Sequence, residues 1–193
     1  MITSAETSEL ESLDGIREVI FDQPTIENRV CQMGREVSRD YGAKELFVIG
    51  ILKGAFIFTC DLVRQLPFLV ESDFMALSCY NGVTQAEEVQ ITLDLQKDIE
   101  GKHVLVVEDI VDTGLTLNYL LSILRERRPA SLAVCTLLDR PELRLTEIPI
   151  RYVGFQVDQD YLVGYGLDFR DYYRDLPFVA TMNVECAKAN FNS

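Results

Sequence analysis

The sequence predicts an α/β protein whose mostly parallel sheet is flanked by helices. Three observations carry that reading. Apolar runs of strand length alternate along the chain with stretches of helical periodicity, the order that builds α/β layers. Val104 to Val107 is a string of four apolar residues, suited to a strand covered on both faces as in a parallel sheet. The segments with chemical character directly follow the strands, and ligands in such sheets bind beyond the strands' carboxyl ends.

Residues 1–22 are polar and acidic, apart from a short strand at Glu18–Phe21. Ile26, Val30, Met33 and Val37 recur at spacings of four, three and four, which predicts a helix over Pro24–Tyr41 with proline near its start. Leu46–Leu52 is an apolar strand, and Lys53-Gly54 turns it into an apolar helix reaching about Leu66. Asp73–Tyr80 is the next strand. Asn81–Glu88 is polar, contains glycine, and reads as a mobile loop returning through Val89–Leu95. After the strand at Val104, Leu117, Leu120, Leu121 and Leu124 fall on one face of an amphipathic helix. Leu132–Leu138 is another buried strand, and Tyr152–Phe155 and Tyr161–Tyr165 are shorter ones. No repeat or linker interrupts the series, so the 193 residues are expected to form a single domain.

Charge and composition exclude several function classes. The formal net charge is −13, with 31 acidic against 18 basic residues. Such a field repels nucleic acid and anionic membrane, and no basic patch offsets it. The densest basic cluster, Arg125, Arg127 and Arg128, sits at a helix end and complements its dipole. Five cysteines (Cys31, Cys60, Cys79, Cys135 and Cys186) and one histidine, His103, show no metal-ligand spacing, which argues against zinc. Cys60 and Cys135 lie in apolar runs and are expected in the core. Scattered cysteines, no stretch of membrane-span length and no signal-peptide pattern together predict a cytoplasmic location.

The most informative stretch reads Val-Leu-Val-Val-Glu-Asp-Ile-Val-Asp-Thr-Gly-Leu-Thr, from Val104 to Thr116. The acidic pair Glu108 and Asp109 stands where the strand should emerge. Asp112, Thr113, Gly114, Leu115 and Thr116 then lead into a helix N-terminus, whose unpartnered N–H groups and positive dipole end attract anions. Carboxylates beside an anion site conflict: two like charges about 4 Å apart repel by roughly 4 kcal/mol at an effective dielectric near 20. A ligand carrying both phosphate and sugar hydroxyls, with Mg²⁺ between the charges, resolves the conflict.

This string resembles the ribose-phosphate signature of type I phosphoribosyltransferases, in their hypoxanthine-guanine branch. The likeness runs from about Phe47 to Pro177. It implies that family's fold, with a small hood built from the N- and C-terminal segments (about 1–25 and 139–193) and a flexible loop at about 81–88. It implies a Mg²⁺-dependent transfer of 5-phosphoribosyl from phosphoribosyl pyrophosphate to N9 of hypoxanthine or guanine, giving the nucleotide and pyrophosphate. Glu108 and Asp109 would hold the ribose hydroxyls and, with Asp168, the metal. Residues Asp112 to Thr116 would wrap the 5′-phosphate, with Asp112 also the acid/base for the proton on purine N7. Lys53-Gly54 matches the pyrophosphate loop, where the peptide before the lysine is cis in some members. Asp168-Phe169-Arg170-Asp171-Tyr172-Tyr173-Arg174 resembles the C-terminal signature, whose arginine, here Arg174, reaches pyrophosphate. Tyr161 matches the aromatic that stacks on the purine, and Leu162 would offer its backbone to the base edge. A homodimer or homotetramer is the family's common assembly.

Two departures stand out. Family members usually carry lysine after Leu137-Leu138-Asp139, whereas this chain has Arg140, which can donate to both O6 and N7. That leaves the ranking of hypoxanthine, guanine and xanthine open, while a donor there disfavours adenine. The Ser-Tyr pair of the family's loop appears as Cys79-Tyr80, or else the serine aligns at Ser78; Tyr80 is the expected lid residue. Two other classes share parts of the pattern. An RNA-binding regulator of nucleotide genes on the same fold would need a basic surface. A phospho-accepting signalling domain places acids and Mg²⁺ at strand ends but has no use for the Asp-Thr-Gly-Leu-Thr loop.

Overall fold

The apolar runs pair into a sheet that places its polar ends side by side. The computed structural model describes residues 15–42, 44–81, 87–159 and 161–183. In chain order the elements are β1 (Ile16–Phe21), α1 (Gln23–Tyr41), β2 (Leu46–Leu52), α2 (Phe56–Arg64), β3 (Val70–Asn81), β4 (Glu87–Leu93) and β5 (His103–Val111). There follow α3 (Leu115–Glu126), β6 (Ser131–Asp139), a 3-10 turn at Pro141–Leu143, β7 (Ile150–Gln156), β8 (Leu162–Val163) and β9 (Val179–Met182). A six-stranded sheet has the order β4-β3-β2-β5-β6-β7 and is parallel except for β4, which runs against β3. A separate antiparallel sheet has the order β1-β9-β8.

The chain divides into a sheet unit, Arg29–Asp158, and a terminal unit, Met1–Asn28 with Gln159–Ser193. The C-terminal boundary falls at 159 and not near 139, because β7 pairs in parallel with β6 (Cys135↔Tyr152, Leu138↔Phe155) and so belongs to the large sheet.

In the sheet unit, alternate residues of each strand share a face. Phe47, Ile49 and Ile51 of β2 and Val104 and Val106 of β5 therefore join Leu117, Leu120, Leu121 and Leu124 of α3 in one core. Each fully buried leucine is worth about 1.5–3 kcal/mol relative to exposure. Gly50 allows α2 to come close, since a Cβ there would meet Thr59 Oγ1 at 2.7 Å and Phe74 at 2.8 Å. Cys135 is buried as expected, and burial pushes its thiol up out of reactive range. Cys60 is exposed, contrary to expectation. The buried face of α2 is Phe58, Thr59 and Leu62, and the apolar run hid that facing.

Some boundaries differ from the sequence reading. β3 continues through Asn81 and β4 begins at Glu87, so residues 81, 87 and 88 of the expected loop are strand; 82–86 lie outside the described residues. β5 runs on past the acidic pair to Val111, because β6 supplies partners there (Ile110↔Leu138, Val111↔Asp139). The expected strand Tyr161–Tyr165 shortens to Leu162–Val163. Gly164, Tyr165 and Gly166 take positive φ (94°, 50° and 102°) and turn the chain.

The terminal unit has its own apolar centres. Val163, Phe169 and Met182 pack with Ile16 and Tyr173, and Leu176, Phe178 and Ala180 with Ile16, Val19 and Tyr173. No helix among the described residues is long and apolar enough to cross a membrane.

Candidate active site

In the sheet unit, β2 and β5 are parallel neighbours (Gly50↔Val107), so their carboxyl ends emerge together. Pairing with β2 stops at Val107, while Glu108, Ile110 and Val111 still pair with β6. The acidic pair thus sits on a strand overhang beside the turn that leaves β2. That turn begins with a cis peptide between Leu52 and Lys53. It closes with Ala55 N–H donating to Ile51 O (3.1 Å) and Phe56 N–H to Lys53 O (3.2 Å). A Cβ on Gly54 would fall inside the Asp109 carboxylate. The residue is therefore glycine because an acid side chain occupies the space. Lys53-Gly54 and Glu108-Asp109, far apart in sequence, are in contact.

Glu108 stands well above the usual carboxylate range, first because it is desolvated, then because of the adjacent Asp109 charge and their shared hydrogen bond. Asp109 Oδ1 accepts from Ile110 N–H at 2.7 Å. A pair that resists double ionisation is one that a cation would relieve. Among the described residues no group of three or more His, Cys, Asp or Glu is placed to hold a metal. One or two carboxylates are nonetheless the donor number Mg²⁺ uses when substrate oxygens and water complete its shell. The donor set fits.

The loop from Asp112 leads into α3 with Gly114 at the cap, in the left-handed conformation (φ 80°) and with no side-chain cap bond. Thr113 Oγ1 accepts from Leu115 N–H at 3.4 Å. A cavity of about 250 Å³ opens here, lined by Glu108, Asp112, Thr113, Gly114 and Thr116 and by apolar Ile51, Leu77, Ile110, Val111 and Leu117. Leu115, half exposed at the first turn of α3, is not among the lining residues.

Arg140 follows β6 directly, and its side chain is only 10% exposed. Its Nη1 lies 3.4 Å from Asp112 Oδ1. The donor expected to read the base is thus paired with the acid expected to handle the base's proton. Sequence reasoning missed Arg144. Its Nε donates to Asp112 O (2.9 Å), its Nη2 to Val111 O (3.2 Å), and it forms an ion pair with the buried Asp139. Nothing in Pro141-Glu142-Leu143-Arg144 distinguishes it from a surface arginine; only the chain's return past the loop reveals it.

In the terminal unit, Tyr161 is half exposed and meets Phe169 edge-on, with centroids 6.3 Å apart. Leu162 is buried and pairs with Thr181 on β8, an edge strand of the small sheet. Arg174 Nη2 lies 2.8 Å from Asp168 Oδ1 and its Nη1 donates to Gly166 O at 2.7 Å. Asp168 Oδ2 also accepts from Asp171 N–H (2.7 Å). Asp168 and Arg174, expected to serve different ligand groups, are each other's partners. Tyr80 lies in β3 opposite Glu88, and its side chain is outside the described residues.

Residues 17–170 match the family described as phosphoribosyl transferase domain. The chain belongs to that family. Within it, a hypoxanthine-guanine phosphoribosyltransferase of Dictyostelium discoideum is 44% identical, over 89% of this chain and 98% of that protein. A hypoxanthine phosphoribosyltransferase of Haemophilus influenzae is 42% identical, over 87% of this chain and 96% of the other. The crystal structure of a Staphylococcus aureus hypoxanthine phosphoribosyltransferase superposes with a TM-score of 0.85 at 37% identity, covering 96% and 98% of the two chains. Membership in the hypoxanthine-guanine branch of the phosphoribosyltransferases accounts for the strand overhang, the small-residue loop and the cavity together.

Proposed function

We infer that this chain is a purine-salvage enzyme that joins a 6-oxopurine, hypoxanthine or guanine, to the phosphoribosyl group of phosphoribosyl pyrophosphate. The bond from purine N9 to ribose C1 forms, the bond from C1 to the pyrophosphate oxygen breaks, and the purine proton is passed to the protein. The observation that carries the reading is the pairing of Arg140 with Asp112 at the rim of the Asp112–Thr116 cavity.

Charge develops as the sugar gains positive character and pyrophosphate gains negative charge, as in glycosyl transfer generally. N–H groups of the loop through Thr113, Gly114, Leu115 and Thr116 bind the 5′-phosphate. Glu108 and Asp109 accept from the ribose hydroxyls and orient the ring. Glu108 and Asp109 would hold Mg²⁺, and the family resemblance assigns Asp168 to the same ion and to the base; when bound, the ion would supply positive charge against the departing pyrophosphate. Lys53 adds a fixed positive charge there, beside the close backbone approach that Gly54 permits. Asp112 takes the proton at purine N7, and Arg140 donates to O6. The family resemblance assigns Tyr161 to stacking on the base, the Leu162 backbone to the base edge and Arg174 to pyrophosphate. Tyr80 covers the site and excludes water. The enzyme works in the cytoplasm as a homodimer or homotetramer.

The test is a panel of hypoxanthine, guanine, xanthine and adenine with phosphoribosyl pyrophosphate and Mg²⁺, read as nucleotide formed. Turnover is expected with 6-oxopurines and not with adenine. Silence with every 6-oxopurine would overturn the proposal.

A further inference from the structure

Three successive carbonyls, from the last residue of β5 into the loop that follows, are held from one side. Val111 O accepts from Arg140 N–H at 3.0 Å and from Arg144 Nη2 at 3.2 Å. Asp112 O accepts from Arg144 Nε at 2.9 Å, and Thr113 O accepts from Leu145 N–H at 3.0 Å. The strap that supplies these donors also closes on Gly114: a Cβ there would lie 2.9 Å from Ile148 Cγ1, 3.1 Å from Arg144 Cδ and 3.3 Å from Thr146 Cγ2. Arg144 is itself fixed by its ion pair with Asp139, whose side chain is 9% exposed.

The consequence lies in peptide geometry. In a trans peptide the C=O of one residue and the N–H of the next point in opposite directions. The only cis peptide among the described residues is Leu52–Lys53. Holding the carbonyls of residues 111, 112 and 113 toward the strap therefore turns the N–H groups of Asp112, Thr113 and Gly114 the other way. Successive backbone N–H groups facing one side make an anion-binding concavity. Asp112, Thr113 and Gly114 line the cavity.

We propose that Arg144 is a positioning residue, which with the N–H of Leu145 presets the backbone of residues 111–114 so that its amides converge on the sugar phosphate. The inference rests on the reading that this loop binds the phosphate of the activated sugar. Arg144 is not among the residues that line the cavity. A planar guanidinium can serve two carbonyls and a carboxylate at once; a lysine ammonium at the same place carries the charge without the fork.

The test compares wild type with Arg144→Gln, Arg144→Lys and Leu145→Pro. Leu145 is 71% exposed, and Arg144 already holds the extended φ and ψ (−67°, 122°) that a following proline favours. The proline variant thus deletes the donor to Thr113 O without touching the guanidinium. Calorimetric titration with ribose 5-phosphate should weaken about tenfold in Leu145→Pro, an effect of the size expected for one lost hydrogen bond, and by at least as much in Arg144→Gln and Arg144→Lys, which lose more than one. In steady-state assays KM for phosphoribosyl pyrophosphate should rise by a similar factor while KM for hypoxanthine stays within about twofold. A merely structural arginine would instead lower the active fraction, reducing apparent kcat and leaving both KM values alone; that outcome overturns the proposal. So does a lysine variant with wild-type sugar-phosphate affinity, which would mean that charge alone suffices. Should wild type itself fail to bind ribose 5-phosphate, the reading of the loop fails and the strap's role falls with it; wild-type binding with unchanged variants defeats the strap alone.

Discussion

At the scale of single residues, Gly54 and Glu108 are the most exacting positions. Gly54→Ala would drive a methyl group into the Asp109 carboxylate. Displacing reacting groups by about 1 Å costs on the order of a hundredfold in rate. We expect kcat/KM to fall by about that factor with circular dichroism unchanged. Asp112→Asn removes the proposed proton acceptor and should lower kcat by about 10²–10⁴. Near-normal turnover would take Asp112 out of that role. Glu108 makes a prediction about pH. Its folded-state proton affinity is raised, so the folded protein binds the extra proton more readily than the unfolded chain does. The stability it contributes is full below the unfolded value of about 4.5 and is lost as pH rises through the folded value. Melting of wild type and Glu108→Gln in the absence of ligand should show a higher melting temperature for the variant at pH 8, and a smaller difference at pH 5. Equal melting at both would contradict the burial and charge argument. The acidic pair was plain in the sequence, because two carboxylates at a strand end before small residues have few other uses. The Arg140–Asp112 pairing and the grip of Arg144 were not, since both depend on where β6 delivers the chain.

At the scale of elements, what could be read was what is periodic. The four-three-four spacing of Ile26, Val30, Met33 and Val37 is α1, and all four are buried. The leucine face of α3 is the face that meets β2 and β5. Leu121→Ala, at a site with no exposure, should destabilise the protein by about 2–5 kcal/mol. Urea unfolding would check it, and a loss under about 1 kcal/mol would mean that the core re-closes. Ends of elements were harder, for a physical reason. β5 runs to Val111 only because Asp139 lies opposite, a partner that local sequence cannot announce. The reverse holds at Gly164 to Gly166, where backbone turning ends a run that looks apolar enough to continue.

At the scale of the whole molecule, parallel character could be read from doubly buried apolar runs, whereas the strand order 4-3-2-5-6-7 could not. The terminal unit was expected from the family resemblance, as a hood of the N- and C-terminal segments; composition and periodicity alone did not show that β1 and β9 find one another from opposite ends of the chain. Net charge makes the large-scale prediction. At −13 the protein should pass through immobilised RNA at physiological salt, whatever the RNA sequence. Retention there would revive the regulatory alternative.

The pairing of β1 with β9 also orders events in time. Ile16–Phe21 finds its strand partner only in Val179–Met182, so during translation an early-made strand must wait until the ribosome has released a segment made some 160 residues later. The large sheet, whose strands all lie between those two, has no such wait. Nascent chains stalled before Val179 should therefore acquire the phosphate cradle while the small sheet is still unmade.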